Sequence, residues 1–206
     1  MDRNLLEQTI SLIAAFYDGC KVGYEGWEGY RKSTDLVKLG RCIYELVSLK
    51  LIDPGRTLFA DLGCADGRVN VLMSYLVSRS IGIEIDADIS AEFAPRFKDL
   101  SDRLQRASLL LPPGNISIFL GDSLEDATHE WIFNSIAVRF SDIDLFYTYI
   151  TLHDLFAEKI ARDGKPAALY MVYGFSTILP RYQGLEILIP DVASQGIVTL
   201  YRKTER

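Results

Sequence analysis

Asp61, Gly63, Ala65 and Gly67 stand at alternate positions in FADLGCADGRVNVL, residues 59–72, directly after a short apolar run. Glycine is needed where a backbone turns sharply or comes close to a ligand, and alanine is its smallest substitute. The spacing invites comparison with the dinucleotide fingerprint G-x-G-x-x-G, whose glycines bring the chain up to a pyrophosphate. Counted from Gly63, the third glycine would fall at position 68, which is Arg68. Asp61 and Asp66 would also set negative charge beside a pyrophosphate. A loop equipped in this way suits a ligand with a cationic centre better.

Two further acidic positions follow. Glu84 ends the apolar run of IGIEID, with Ile85 next to it. A carboxylate at the end of such a strand accepts two charge-assisted hydrogen bonds from ribose hydroxyls. Asp122, in FLGDSLE, can accept from an adenine amino group, with Ser123 alongside.

The elements that must carry these groups alternate. Leu6, Ile10, Ile13 and Phe16 recur at helical spacing over 4–17, and Leu36, Leu39, Ile43, Leu46 and Val47 mark a second helix capped by Ser33 or Thr34. Residues 18–32 between them read as a glycine-rich, aromatic loop. From there the pattern predicts strands at 57–62, 80–85, 116–120, 143–149 and 167–173. Helices at 67–76, 90–110, 128–138 and 151–162 separate them. Strands alternating with helices imply a parallel sheet covered on both faces. Residues 184–189 and 196–201 are two strands with only a turn between them, which permits an antiparallel pair and no crossover helix. The expected fold is α/β, a three-layer αβα sandwich whose mostly parallel sheet ends in an antiparallel hairpin. Residues 1–56 read as a helical segment and possible lid, and 57–206 as the binding core, within one domain.

ADLGCADGR, GIEID, LGDSLE and DLFYTY, in that order, resemble the motifs of the class I S-adenosylmethionine-dependent methyltransferases. The likeness spans roughly residues 57–201 and includes the terminal hairpin. It implies a Rossmann-like fold and S-adenosylmethionine as cofactor. By that likeness Gly63 and its loop, with Asp61, Ala65 and Gly67, hold the methionine part. Glu84 takes the ribose and Asp122 the adenine, with Ile85 and Ser123 beside them as further cofactor-binding residues. A weaker likeness runs to small bacterial proteins related to the protein lysine methyltransferases. The departure from the common pattern is Ala65, where glycine is more usual. The alternatives are a nicotinamide-dependent oxidoreductase, and a cofactor-binding protein that regulates without catalysis.

The fourth strand, DIDLFYTYITLHD, should point its end at the methyl group. It lacks the Asn/Asp-Pro-Pro-aromatic motif of enzymes that methylate amino groups of bases, which disfavours adenine or glutamine N-methylation. Tyr147 is a candidate wall of the methyl pocket, and His153 a candidate base where the acceptor must lose a proton. Tyr24, Trp27 and Tyr30, set among Gly23, Gly26 and Gly29, suit either a lid over a cationic or flat acceptor or simple packing on the sheet. The stretch YGFSTILPRYQG is a second candidate lid.

Composition bounds the partners. The chain has 206 residues, 49% hydrophobic and 24% charged, the balance of an ordinary globular domain. The net charge of −6 argues mildly against nucleic acid, so the acceptor is expected to be a protein side chain or a small molecule. Cys20, Cys42 and Cys64 form no CxxC pair and there are two histidines, so neither a disulfide framework nor a metal site is expected. The segment MDRNLLEQTI does not read as a secretory signal, and no apolar run reaches membrane-spanning length, so a cytoplasmic protein is expected. The sequence sets neither the acceptor nor the oligomeric state.

Overall fold

The computed structural model describes residues 2–26, 29–175 and 178–204. Seven strands form one sheet: β3 (Leu58–Leu62), β4 (Arg79–Glu84), β5 (Ile116–Leu120), β6 (Leu145–Tyr149), β7 (Leu169–Tyr173), β8 (Leu185–Ile189) and β9 (Val198–Lys203). Their order is β5-β4-β3-β6-β7-β9-β8. The five strands from β3 to β7 pair in parallel, and β9 runs antiparallel to both β7 and β8. This is the expected parallel sheet with a terminal hairpin.

Successive residues of each strand feed opposite faces, as the pleat requires. Phe59 and Leu145 join a core with α1 (Arg3–Asp18), α2 (Leu36–Ser48), α3 (Arg68–Ser74) and α5 (Phe93–Arg106). Ala60 and Phe146 face the other way, toward α6 (Asp126–Ile136) and α7 (His153–Asp163). The result is three layers. Among the described residues no helix is long and apolar enough to cross a membrane.

Three local expectations are corrected. Residues 18–32 are not simply a loop, because β1 (Val22–Gly26) and β2 (Gly29–Arg31) form an antiparallel hairpin within them. The helix expected over 90–110 is two: α4 (Ala87–Ser90), capped by Asp86 on the amides of Asp88 and Ile89, and then α5. The cap of α2 is Asp35, whose side chain accepts from Lys38 N at 2.9 Å, and not Ser33 or Thr34. Those two hydroxyls are taken by tertiary partners: Ser33 accepts from Arg68 Nη1 at 2.9 Å, and Thr34 shares a 2.6 Å hydrogen bond with the Tyr147 hydroxyl.

Candidate functional site

Chain order reverses about β3: β4 and β5 lie on one side of it, β6 and β7 on the other. Connections then leave the sheet in opposite directions, and a crevice opens at the carboxyl ends of β3 and β6 where ligands of such sheets bind. A cleft of about 520 Å³ occupies this place, a volume suited to a single small ligand. Asp61, Gly63, Ala65, Glu84, Ile85 and Tyr147 line it, together with Val22 and the segment 31–34.

The loop after β3 is held from below. The amides of Gly63 and Cys64 both donate to Ile83 O at 2.9 Å, and Ala65 N donates to Glu84 Oε2 at 2.8 Å. Gly63 has φ +87°, and a Cβ there would meet nothing within 4 Å, so this backbone borders open space. Gly67 has φ +73°, and a Cβ would lie 2.6 Å from Phe93 Cδ2. Its glycine is demanded by close packing on α5 rather than by the cleft, which it does not line. Ala65 adopts φ +50°, a left-handed conformation that costs a residue with a Cβ about 1–2 kcal/mol. Ala65→Gly should therefore raise stability by about 0.5–1 kcal/mol after the added chain entropy is subtracted. Thermal unfolding of the two proteins checks this, and a lower melting temperature for the glycine variant would count against it.

Asp61 is 2% exposed, and its Oδ1 has no hydrogen-bond partner among the described residues. Burial, and then the negative charges of Glu84 and Asp66, push its carboxyl well above the usual range. An open buried acceptor beside open space fits a ligand carrying a cation or an N–H group. Glu84, also buried, lies on the adjacent strand with Oε1 accepting from Asp86 N at 3.0 Å. Each of its oxygens keeps acceptor capacity for hydroxyl donors.

Asp66 behaves differently from what the sequence suggests. It is fully buried in a bidentate pair with Arg68, Nε to Oδ1 at 2.9 Å and Nη2 to Oδ2 at 3.0 Å, and it also pairs with Arg96. Its charge is therefore neutralised away from the cleft, and it gives no argument against a pyrophosphate. Arg68 is the unforeseen residue. At 3% exposure it reaches Ser33 and Cys20 O, tying the glycine loop to both ends of the β1–β2 hairpin. Arg96 bonds Lys21 O, and Glu92 accepts from Gly23 N at 2.9 Å. The only sequence signal for this network was an arginine where the dinucleotide pattern wants glycine.

Tyr147 sits in register beside Asp61. Burial and the Asp61 charge hold its phenol far above its ordinary value, so it stays a neutral hydroxyl bonded to Thr34. His153 begins α7 but turns to Tyr182, Nδ1 to the hydroxyl at 2.7 Å, and packs edge-on against Phe175. It does not line the cleft. Neither do Asp122 and Ser123. Asp122 lies just past β5, beside the end of β4, where Oδ1 accepts from Leu124 N at 2.8 Å, and the Ser123 carbonyl is bonded to His129. Tyr24 and Tyr30 are exposed on the hairpin; Trp27 lies outside the described residues, as do Ser176 and Thr177 of YGFSTILPRYQG.

No family model matches the chain, and no curated protein sequence does. Solved structures do. An RNA methyltransferase from Salinibacter ruber, in complex with S-adenosyl-L-homocysteine, superposes with a TM-score of 0.52 at 17% identity, covering 85% of this chain and 95% of that one. A protein of Escherichia coli assigned as a methyltransferase gives 0.53 at 15% identity, over 85% and 90% of the two chains. A protein of Pyrococcus horikoshii assigned as an RNA methyltransferase gives 0.59 at 11% identity, over 97% and 100%. Together with the strand order and the antiparallel β9, these likenesses show that the chain has the Rossmann-like fold of the class I methyltransferases.

Proposed function

We propose that the chain is an S-adenosylmethionine-dependent methyltransferase with its cofactor across the carboxyl ends of β3, β4 and β5. The observation that carries this reading is the pairing, at the switch point, of the open Gly63 backbone with two buried carboxylates on adjacent strands, Asp61 and Glu84. S-adenosylmethionine supplies a methyl group already activated by a positive sulfur. In this reading Asp61 Oδ1 receives the cationic end of the ligand, and Gly63, Ala65 and Gly67 shape the loop beneath it. Glu84 binds the ribose hydroxyls, and Ile85, 67% exposed, offers an apolar face to the adenine. Asp122 and Ser123, one strand further, lie toward the outer edge of that ring.

Methyl transfer from an activated donor needs alignment more than covalent help. Tyr147, held as a neutral hydroxyl, walls the cleft and does not act as a base. His153, engaged with Tyr182, is given no catalytic part. The acceptor is a protein side chain, a small molecule or a nucleic acid. Two of the compared structures are described as RNA methyltransferases, so the expectation against nucleic acid from net charge gains no support from them.

Titration calorimetry with S-adenosylhomocysteine tests the reading. Micromolar binding is expected, and none at several hundred micromolar, or binding of NAD in its place, would overturn it. Glu84→Gln should weaken that binding by roughly tenfold to a hundredfold, the worth of a hydrogen bond to a charged group.

A further inference from the structure

The chain is acidic overall, but three cations, Lys21, Arg31 and Lys32, bracket the β1–β2 hairpin and outnumber Glu25 and Glu28 within it. Arg31 and Lys32 line the cleft, and the same two residues line a second depression of about 460 Å³ on the outer side of the hairpin. They form the ridge between the two spaces. Lys21 and Tyr30 also line the outer depression, with Lys21 Nζ 5.7 Å above the Tyr30 ring. Two carboxylates border it, Asp18 and Glu25. Asp18 is already committed to α2, its oxygens accepting from Leu36 N at 2.9 Å and Val37 N at 3.3 Å. Among the described lining residues, Glu25 is left against three cations; Glu28 lies outside the described residues. Among the described residues none of Lys21, Arg31 and Lys32 makes an ion pair.

Two exposed tyrosines lie on the same hairpin, and Tyr30 lines the outer depression with the cations. Tyr24 is 70% exposed and Tyr30 40%. Cations beside open aromatic faces are the arrangement that binds the phosphates and stacks the bases of single-stranded nucleic acid. The far rim of the cleft is apolar instead, with Ile150 and Leu152 exposed. A cleft sized for one small ligand and filled by a cofactor leaves space only at its mouth. The acceptor's reacting group would enter there, and the rest of it would lie on the ridge.

We propose that the hairpin recognises a nucleotide-bearing acceptor, with Lys21, Arg31 and Lys32 on its phosphates and Tyr24 and Tyr30 against its bases. The proposal rests on the methyltransferase reading for the role of the cleft, but the binding it predicts is measured apart from cofactor and turnover. The hairpin's tethers support it: Arg68 holds Cys20 O and Ser33, so the ridge is fixed over the loop and not left to swing. A cationic acceptor, which the aromatic residues alone would have suited, meets like charge at this mouth.

Fluorescence anisotropy tests the proposal with a labelled single-stranded RNA of about 12 nucleotides, a length that one such surface covers. Binding below about 100 µM in low salt is expected, falling steeply as salt rises. Replacing Arg31 and Lys32 by glutamate should weaken it at least tenfold and lower the slope of log affinity against log salt by about 1.4, near 0.7 per phosphate released. Tyr30→Ala should weaken it with the slope unchanged. Displacement by AMP at comparable concentration identifies a free nucleotide as the ligand, and displacement by oligomer alone identifies a strand. The proposal is overturned by absent binding, by an unchanged slope in the double variant, or by equal displacement with a polyglutamate peptide. S-adenosylhomocysteine calorimetry on the same samples separates the outcomes. If the cofactor product fails to bind while RNA still does, the methyltransferase reading falls and the nucleic-acid surface stands.

Discussion

Asp66→Asn is expected to lower the free energy of unfolding by about 3–5 kcal/mol, the usual consequence of removing one partner from a buried ion pair. The substitution preserves volume, so the loss reports charge. Asp66 is fully buried and Arg68 only 3% exposed, so neither has water to fall back on. Without the carboxylate, the Arg68 guanidinium is left charged in the interior, and Arg96 loses a second contact. The hairpin should loosen as well, since Arg68 and Arg96 reach Cys20 O, Lys21 O and Ser33. Urea unfolding measures the first effect, and amide exchange over residues 20–34 the second. A loss under 1 kcal/mol would mean that the pair is solvated in solution and that the tether is weak. Arg68→Met added to Asp66→Asn should recover part of the stability, because it removes the stranded charge. It should not restore protection of the hairpin.

Asp61→Asn should have the opposite sign on stability and a large effect on binding. Asp61 is buried like Asp66, but among the described residues it makes no ion pair and its Oδ1 has no hydrogen-bond partner. Burial first, then Glu84 and Asp66, raise its folded pKa well above the ordinary carboxylate value. The folded chain therefore keeps a proton that an unfolded aspartate has lost above about pH 3.9. The contribution of this group to stability is fully present below that pH and is lost as pH rises through the raised folded value. Asparagine has no such loss. At neutral pH the variant should be more stable than the parent, because it has no buried carboxyl to hold protonated, and near pH 4 the difference should vanish. S-adenosylhomocysteine binding should move the other way. A cationic ligand group favours the charged carboxylate. Parent affinity should rise with pH through the Asp61 titration, while the variant binds at least tenfold more weakly and with a flatter pH profile. Equal affinity in both proteins would remove Asp61 from the cofactor site. Equal stability at pH 4 and pH 8 would show that its carboxyl is solvated.

These two aspartates mark where reading residues in order stops. FADLG, GIEID and DLFYTY announce parallel strands by their apolar runs, and Asp61 and Glu84 at the carboxyl ends of the first two are conspicuous because apolar strands rarely carry an acid. Two strands after β7 with no room for a crossover helix made the antiparallel ending legible too. Local chemistry of this kind survives folding because it depends on neighbours along the chain. The hairpin is not legible along the chain, since Gly23, Gly26 and Gly29 read as loop, while its pairing of Val22 with Arg31 is supported by tethers from α3 and α5. The cap of α2 falls at Asp35, one or two residues past Thr34 and Ser33, for the same reason, as those two hydroxyls are claimed by Tyr147 and Arg68 from distant elements.

By itself, then, the sequence determined the layer architecture, the strand ends that form the site and the acidic character of the loop. Periodicity and turn chemistry act over a few residues and do not need the rest of the molecule. Only the tertiary structure decided which acid is which. Asp61 and Asp66 stand five positions apart with the same side chain. Among the described residues one lines the cleft with an acceptor that has no partner, and the other is enclosed by two arginines. The same is true of the cations at the cleft mouth: Arg31 and Lys32 carry no meaning in a chain of net charge −6 until the hairpin sets them on one ridge. Burial and ion pairing are properties of what packs around a residue, and alternation along the chain does not encode them.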